Sequence, residues 1–322
     1  MTFSNPASMD RRRLLGGAGA LAVAGCATLP RPGDDQVLLL SYFIGADEGR
    51  DGLRLAMSED GYTFTPLRGG AGLLMPVVGT SKLMRDPCIL HGPDGLYHMV
   101  WTADWFGPVI GYATSPDLVN WSEQRTLPVM RDFPGVRNTW APEIYYDARE
   151  GHYVIVWSSS VAGRFGATDE TGFDGLNHRP YVTTTRDFET FTPTRLLYDP
   201  GFNAIDFTFI TLGDGSLRII IKDETHDVEL RRYLRVATAQ SYLGPFGEPS
   251  APFTPSWTEG ATATRLGDRY IVYFDAYEDH HFGAVETTDF VTFTDVTSRI
   301  AFPHDARHGT VLWVPRKLAA SI

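Results

Sequence analysis

The sequence has little cysteine, no excess of basic charge and no sustained helical periodicity, and each lack excludes a class of protein. Only two of its 322 residues are cysteines, Cys26 and Cys88, so the chain cannot depend on a disulfide framework. A net charge of −11 argues against a nucleic-acid partner, because a phosphate backbone requires a basic surface. The chain also lacks a Gly-rich phosphate-binding motif.

The composition that is present favours a globular protein of short strands and tight turns. Hydrophobic residues make up 43% and charged residues 21% of the chain, which excludes a disordered polypeptide. The 32 glycines and 21 prolines supply turns, and the 14 tyrosines and 19 phenylalanines are of types enriched in strands. We therefore expect an all-β protein.

The first 35 residues resemble an export signal followed by a tether. Arg11–Arg13 precede the small, apolar stretch Gly16–Gly25, which is too short to span a bilayer as a mature helix. The paired arginines resemble a twin-arginine signal, and the Val-Ala-Gly-Cys sequence ending at Cys26 resembles a lipobox. Ordinary cleavage near Ala27 is the alternative. We expect export, either to the periplasm or as a membrane-anchored lipoprotein, with membrane contact only through a lipid on Cys26.

Residues 36–322 contain one pattern five times, and such repetition indicates a repeat architecture. An apolar strand is followed by a second strand that ends near Ser or Thr, and then by Asp and an aromatic residue. The Asp is present as Asp60, Asp117, Asp187 and Asp289, and Gln240 replaces it in the fourth copy. We interpret these Asp residues as turn caps. Five four-stranded units predict a five-bladed β-propeller as one domain, with a two-sheet sandwich as the less favoured alternative.

Three acids occupy the same relative position in three of these units, within apolar or small residues. They are Asp86, Asp206 and Glu259, each just before or at the start of the expected innermost strand. A buried carboxylate without a partner is costly, so three at equivalent positions indicate a shared site at one mouth of the central channel. Each acid alone could instead accept hydrogen bonds from the neighbouring backbone.

The segments that contain these acids resemble glycoside hydrolase family 43. The resemblance is carried by Arg-Asp-Pro at 85–87, Trp-Ala-Pro-Glu-Ile at 140–144, Ala-Ile-Asp at 204–206, Thr-Glu-Gly at 258–260 and Arg-His-Gly-Thr-Val at 307–311. It extends over roughly residues 37–315. It implies a glycosidase that hydrolyses O-glycosyl bonds with inversion, takes a carbohydrate as substrate and requires no cofactor.

The resemblance also implies roles for the three acids. Asp86 would be the general base, Asp206 the acid that tunes a neighbouring pKa, and Glu259 the general acid. Inversion needs the base and the acid about 6.5–9.5 Å apart, so that a water molecule fits between the base and the sugar. Because a general acid must be protonated, we expect the charge of Asp206 to raise the pKa of Glu259.

Five further residues are candidates for substrate binding: Trp105, Trp140, Glu143, Arg307 and His308. The two tryptophans would stack on a sugar or pack between blades. Glu143 would bind a sugar hydroxyl or pair with Arg137, and Arg307 would bind a hydroxyl or neutralise the acids. His308 resembles the channel histidine that in some relatives supports a calcium ion through water, and its alternative is a core histidine. A structural calcium in the central channel is therefore an expectation of the resemblance.

The family resemblance does not select one sugar. Exo-α-L-arabinofuranosidase is our first choice, and β-xylosidase, exo-galactosidase or exo-galactofuranosidase, and endo-arabinanase are alternatives. The long Gly-rich insertion at 160–178 is expected to wall the pocket, which favours exo-cleavage. A carbohydrate-binding propeller without catalysis is an alternative of a different class. A fructan-acting relative is disfavoured, because Arg85 stands where such proteins carry Asn.

Overall fold

The computed structural model describes residues 35–171, 175–226 and 231–322. The export signal and the lipobox cysteine, Cys26, lie outside the described residues. Among the described residues, no helix combines the length and the apolar character that crossing a bilayer would need.

The regular secondary structure of the described chain is mostly short strands. In chain order these are β1 Gln36–Ile44, β2 Arg54–Ser58, β3 Thr65–Pro66, β4 Arg85–His91, β5 Tyr97–Thr102, β6 Ile110–Ser115, β7 Arg125–Leu127, β8 Trp140–Asp147, β9 His152–Ser160, β10 His178–Thr185, β11 Arg195–Leu196, β12 Ala204–Thr211, β13 Leu217–Asp223, β14 Tyr233–Ala239, β15 Thr258–Leu266, β16 Arg269–Ala276, β17 His281–Thr287, β18 Thr294–Asp295 and β19 Ala306–Pro315. A single turn of α-helix, α1 Arg316–Ala319, follows β19.

These strands form five antiparallel sheets, which are the blades of a five-bladed β-propeller, as predicted. Blade 1 has the order β19-β1-β2-β3, blade 2 β4-β5-β6-β7, blade 3 β8-β9-β10-β11, blade 4 β12-β13-β14 and blade 5 β15-β16-β17-β18. Blade 4 has three strands instead of the four expected. The segment after β14 makes only a single bridge, between Ala239 and Phe246.

The repeated Asp closes the turn before the outermost strand, as interpreted from the sequence. Asp60 accepts hydrogen bonds from the backbone N–H groups of the residues two and three positions later, at 2.7 and 2.8 Å. Asp117, Asp187 and Asp289 do the same. Blade 4, in which Gln240 replaces this Asp, is the blade without a fourth strand.

Neighbouring blades pack face to face through hydrophobic clusters. Strand β1 illustrates this packing, because its sequence is apolar at successive positions and does not alternate between apolar and polar residues. Val37 and Leu39 pack against residues of blade 2, whereas Leu38 and Leu40 pack against residues of blade 5. A strand that is buried on both faces must be apolar at every position. All four of these side chains are fully buried.

The ring closes because the end of the chain supplies the innermost strand of blade 1. Strand β19 pairs with β1 from Gln36 opposite Pro315 to Ile44 opposite Ala306, with a register shift between Ser41 and Phe43. The first and last parts of the propeller thus share one sheet. This pairing holds β19, and the side chains that it presents to the channel, in place.

An irregularity recurs near the start of the innermost strands. The register shifts between Arg85 and Cys88 in β4, with equivalent shifts in β8, β12 and β15. At these shifts Asp86, Ala141, Asp206 and Gly260 have φ angles between 46° and 57°. A bulge with a left-handed residue re-aims the adjacent side chains. Asp and Gly tolerate this conformation, whereas Ala141 adopts it against the usual preference of its residue type.

We predict that substitution Gly309→Ala weakens ring closure. A Cβ atom at position 309 would lie 1.9 Å from the carbonyl oxygen of Ser41 on the paired strand β1. We expect the free energy of unfolding in urea to fall by about 2 kcal/mol or more, because overpacking must displace main chain. Gly166→Ala is the control, since among the described residues no atom lies within 4 Å of its added Cβ. Equal unfolding curves for the two variants would contradict this account.

Candidate active site

A cavity of about 250 Å³ lies where the innermost strands begin, and it contains all three predicted acids. Asp86 comes from β4, Asp206 from β12 and Glu259 from β15. The cavity is also lined by Trp105, Trp140 and His308, which were candidates for substrate binding. The structure therefore brings together side chains from five blades. The first and the last of the three acids, Asp86 and Glu259, are 173 positions apart in the chain.

Asp86 is fixed by a short chain of hydrogen bonds between blades 2 and 3. The hydroxyl of Thr102 donates to Asp86 Oδ2 at 2.6 Å, and the same hydroxyl accepts the backbone N–H of Ala141 at 2.8 Å. The other carboxylate oxygen, Oδ1, lies 3.4 Å from His308 Nδ1. With 9% of its surface exposed, Asp86 retains access to the cavity.

Asp206 is a buried acid that links blades 4 and 5. Its Oδ2 accepts the backbone N–H of Gly260 at 3.0 Å and lies 3.9 Å from His308 Nδ1. Burial raises the pKa of Asp206 to about 6, and the charges of Glu259 and Asp86 act in the same direction against those of His308 and Lys222. Because Gly260 follows Glu259 directly, the hydrogen bond from its N–H also fixes the backbone that carries Glu259.

Glu259 differs from the sequence-based expectation, because it is paired with a lysine. Lys222 Nζ donates to Glu259 Oε2 at 2.8 Å, and Arg307 Nη2 lies 3.9 Å from Oε1. Burial alone would raise the pKa of Glu259, but Lys222, His308 and Arg307 together lower it to about 2. The expected rise in the pKa of Glu259 is therefore wrong for the empty site, where this carboxylate is ionised.

Lys222 and Glu224 are site residues that the sequence analysis missed. Lys222, at the end of β13, is 3% exposed, and its Nζ lies 2.6 Å from Glu224 Oε2 and 4.9 Å from the centre of the Tyr277 ring. Burial lowers the pKa of Lys222, but the charges of Glu224 and Glu259 outweigh this effect and keep the amine charged. The available signal was a lysine that directly follows the apolar run Ile219–Ile221.

His308 and Arg307 place further positive charge beside the three acids. Asp275 Oδ2, from β16, accepts Arg307 Nε at 2.7 Å and the backbone N–H of His308 at 3.2 Å. Burial lowers the pKa of His308, but the charges of Asp206 and Asp86 raise it by a larger amount in combination with the other acids, so the net shift of this pKa is upward. Position 260 must be glycine, because a Cβ atom there would lie 2.4 Å from His308 Cγ.

The expected calcium ion has no direct ligand set among the described residues. Within them, no group of three or more His, Cys, Asp and Glu side chains is arranged to hold a metal ion. Moreover, His308 Nδ1 faces the two aspartates, so a cationic ring already occupies the position between them. A directly bound ion does not fit this arrangement, and calcium held by His308 through water stays a prediction.

Glu143 and Arg307 do not line the cavity. Glu143 is 5% exposed, and its Oε2 accepts a hydrogen bond from Thr208 Oγ1 at 2.7 Å. Burial raises the pKa of Glu143 to about 8. The alternative partner Arg137 was wrong, because its guanidinium donates to the carbonyl oxygen of Gly175 instead. Glu143 thus lies outside the cavity lining, and its contact with a sugar hydroxyl stays a prediction.

The two tryptophans form one wall of the cavity. Trp140 Nε1 donates to the carbonyl oxygen of Trp105 at 3.0 Å, and the two rings meet edge to face. The guanidinium of Arg85 covers the Trp105 ring at 4.7 Å, so one face of this ring is already occupied. Trp140 packs at a tilt against His178, with ring centres 5.4 Å apart. The packing interpretation is thus confirmed for both rings, and stacking on a sugar stays a prediction.

The insertion at 160–178 contributes to the wall beside these tryptophans. Of this insertion, residues 172–174 lie outside the described residues, and Leu176 and His178 line the cavity. The buried Arg179 fixes its end by donating to Asp199 Oδ1 at 2.6 Å, to Asn177 Oδ1 at 3.0 Å and to Thr168 Oγ1 at 2.8 Å.

Comparison with known proteins agrees with this fold. A family described as "Probable glycosyl hydrolase domain", related to glycoside hydrolase family 43, matches residues 35–318. An α-L-arabinofuranosidase of Bifidobacterium longum subsp. longum is 25% identical over 175 residues, which are 48% of this chain and 16% of that relative. The chain therefore spans about one sixth of the length of this curated relative.

Two solved structures share the propeller. A thermostable family-43 glycoside hydrolase has a TM-score of 0.53 at 16% identity, over 66% of this chain and 71% of that chain. An α-L-arabinofuranosidase from Lactobacillus brevis has a TM-score of 0.53 at 18% identity, over 66% of this chain and 72% of that chain. At these identities the likeness shows the fold, whereas the family match covers nearly all described residues. The chain belongs to this family of probable glycosyl hydrolase domains related to glycoside hydrolase family 43.

Proposed function

We propose that this protein is an inverting exo-glycosidase that removes one terminal sugar, with α-L-arabinofuranose as the first choice. The observation that carries the proposal is the convergence of Asp86, Asp206 and Glu259 on one cavity of about 250 Å³. A cavity of this volume, walled by Trp140 and by Leu176 of the insertion, suits a single sugar residue better than a segment of polysaccharide.

Asp86 is the proposed general base. The hydrogen bond from Thr102 directs its carboxylate, and a water molecule held by Asp86 would attack the anomeric carbon. As the oxygen of this water bonds to carbon, its proton passes to Asp86. The glycosidic bond breaks on the opposite face of the sugar.

Glu259 is the proposed general acid, which donates a proton to the departing glycosidic oxygen. Asp206 is the proposed partner of this acid. Its hydrogen bond to the N–H of Gly260 holds the strand that carries Glu259, and its charge opposes the ionisation of Glu259. The base and the acid approach the cavity from different blades. Inversion requires that they reach opposite faces of the sugar.

The choice of arabinofuranose rests on the family and on the names of the relatives. Both the curated relative from Bifidobacterium longum and the solved structure from Lactobacillus brevis are named α-L-arabinofuranosidases. Another solved relative with the same fold is named a β-xylosidase and another a β-1,3-galactosidase, so these activities remain the second candidates. Endo-arabinanase is less favoured because of the small cavity. The family assignment also favours a glycosidase over a carbohydrate-binding propeller without catalysis.

Four 4-nitrophenyl glycosides test the sugar specificity. We expect kcat/KM for the α-L-arabinofuranoside to exceed that for the β-D-xylopyranoside, the β-D-galactofuranoside and the β-D-galactopyranoside by about tenfold or more, since a site built for one set of hydroxyls leaves polar groups unpaired with another. Release of single sugars from an arabino-oligosaccharide would support exo-action. A higher kcat/KM for any of the other three glycosides would contradict the choice of sugar.

Substitution Glu259→Gln tests the general acid. The amide keeps the shape of the side chain but has no proton to donate, so we expect kcat on a substrate with an unactivated leaving group to fall by about 10²–10⁴-fold. Binding of the substrate, measured by calorimetry, should persist. Glu123→Gln is the matched control, because Glu123 is an exposed glutamate in the loop between β6 and β7. Near-normal turnover by the Glu259 variant would exclude it as the acid.

A further inference from the structure

Lys222 is shared by two glutamates at the wall of the cavity. Its Nζ lies 2.8 Å from Glu259 Oε2 and 2.6 Å from Glu224 Oε2, and the lysine is 3% exposed. Lys222, Glu224 and Glu259 all line the cavity. Two carboxylates thus compete for one buried ammonium group at the place where a sugar would bind.

This arrangement conflicts with the chemistry proposed for Glu259. A carboxylate at 2.8 Å from an ammonium group is held in its ionised form, whereas a general acid must carry a proton when the bond breaks. While Lys222 holds Glu259 in this way, Glu259 has no proton to donate to the glycosidic oxygen. Either another group supplies the proton, or Lys222 must release Glu259 before the reaction.

The two cationic groups that face Glu259 do not offer a proton in its place. Arg307, 3.9 Å from Glu259 Oε1, is held by Asp275 and keeps its protons at all working pH values. His308 directs Nδ1 at Asp86 and Asp206, on the side of the proposed base. Asp206 accepts a backbone hydrogen bond from Gly260.

Glu224 lowers the energetic cost of separating Lys222 from Glu259. Removing one partner from a buried ion pair is strongly destabilising, because it leaves a buried charge uncompensated. Lys222 escapes this penalty, since it remains beside Glu224 and the Tyr277 ring when it leaves Glu259. Arg232, whose Nε lies 3.6 Å from Glu224 Oε1, faces the same carboxylate from the next strand.

We propose that Lys222 is a positioning residue that holds Glu259 ionised in the empty site, and that a bound sugar shifts Lys222 onto Glu224 so that Glu259 takes up a proton. This inference rests on the proposed role of Glu259 as general acid. The proton comes from solvent and passes to the departing glycosidic oxygen as the C–O bond breaks. Asp86 receives one proton from the attacking water and returns it to solvent, so no net proton is consumed.

Substitution Lys222→Met tests whether Lys222 keeps Glu259 ionised. The measurement is the pH profile of kcat/KM, which reports the pKa values of ionisable groups in the free enzyme. Without the ammonium group, the charge and the hydrogen bond of Lys222 no longer lower the pKa of Glu259, and burial, which raises it, is opposed by His308 and Arg307. The pKa of Glu259 then rises, and the protonated acid persists to higher pH. We expect the high-pH limb of the profile to move upward by about one pH unit or more. Lys317→Met, at an exposed lysine in α1, is the control.

Substitution Glu224→Gln tests the second partner, with the opposite effect. Lys222 then has Glu259 as its one carboxylate partner at close range, so protonation of Glu259 is opposed. We expect kcat for 4-methoxyphenyl glycosides, which need protonation of the leaving oxygen, to fall by about tenfold or more, and kcat for 2,4-dinitrophenyl glycosides to change by less than about threefold. A purely structural role for Glu224 would lower both rates alike.

The two variants separate failure of this inference from failure of the proposed function. An unchanged pH profile in Lys222→Met, or an equal loss on both leaving groups in Glu224→Gln, would overturn the shift of Lys222. If Lys222→Met does not fold, as judged by circular dichroism, the leaving-group comparison in Glu224→Gln decides. Full activity of Glu259→Gln on the 4-methoxyphenyl glycoside would instead reject Glu259 as the acid.

Discussion

The site depends on balancing charge in a small, largely buried space. Asp86, Asp206 and Glu259 surround one cavity, and like charges at such separations repel one another and lose hydration. Lys222 beside Glu259 and His308 between Asp86 and Asp206 supply the compensating charge. The pKa of Asp206 is raised while that of Glu259 is lowered, so the two neighbouring carboxyl groups gain and lose their protons in different pH ranges. Unequal environments of this kind allow carboxylates in one site to take separate roles.

The propeller provides this balance because every blade begins its innermost strand at the same end of the channel. The bulge with a left-handed residue at Asp86 and Asp206 aims their side chains at the cavity, and closure of the ring by β19 brings His308 between them. The second strands of the blades supply the cation and the acid behind this layer, Lys222 from β13 and Asp275 from β16. The site is thus a property of the closed ring and of no single blade.

The sequence was sufficient to predict the features that repeat. Five copies of the strand pattern predicted the blades, the Asp in four of the turns marked their outer strands, and acids near the starts of three innermost strands predicted the cavity. Glu259 lies one residue before the left-handed position that Asp86 and Asp206 occupy, because Gly260 takes that position. The contact between Lys222 and Glu259 could not be predicted, because it joins different blades and depends on the side-chain direction at the end of β13. The left-handed conformation of Asp86 and the missing fourth strand of blade 4 depend on tertiary packing, which local residue preferences do not determine. The direction of the pKa shift of Glu259 was wrong for the same reason, since the decisive charge lies on another blade.

The account makes one central claim about the reaction: Asp86 delivers water to one face of a sugar while Glu259 protonates the oxygen that leaves from the other. Proton NMR during the first minutes of hydrolysis of an α-L-arabinofuranoside, before the released sugar equilibrates, tests this claim most directly. The account predicts that β-arabinose appears first. If α-arabinose appears first, the configuration is retained, and Asp86 does not act as a base on water.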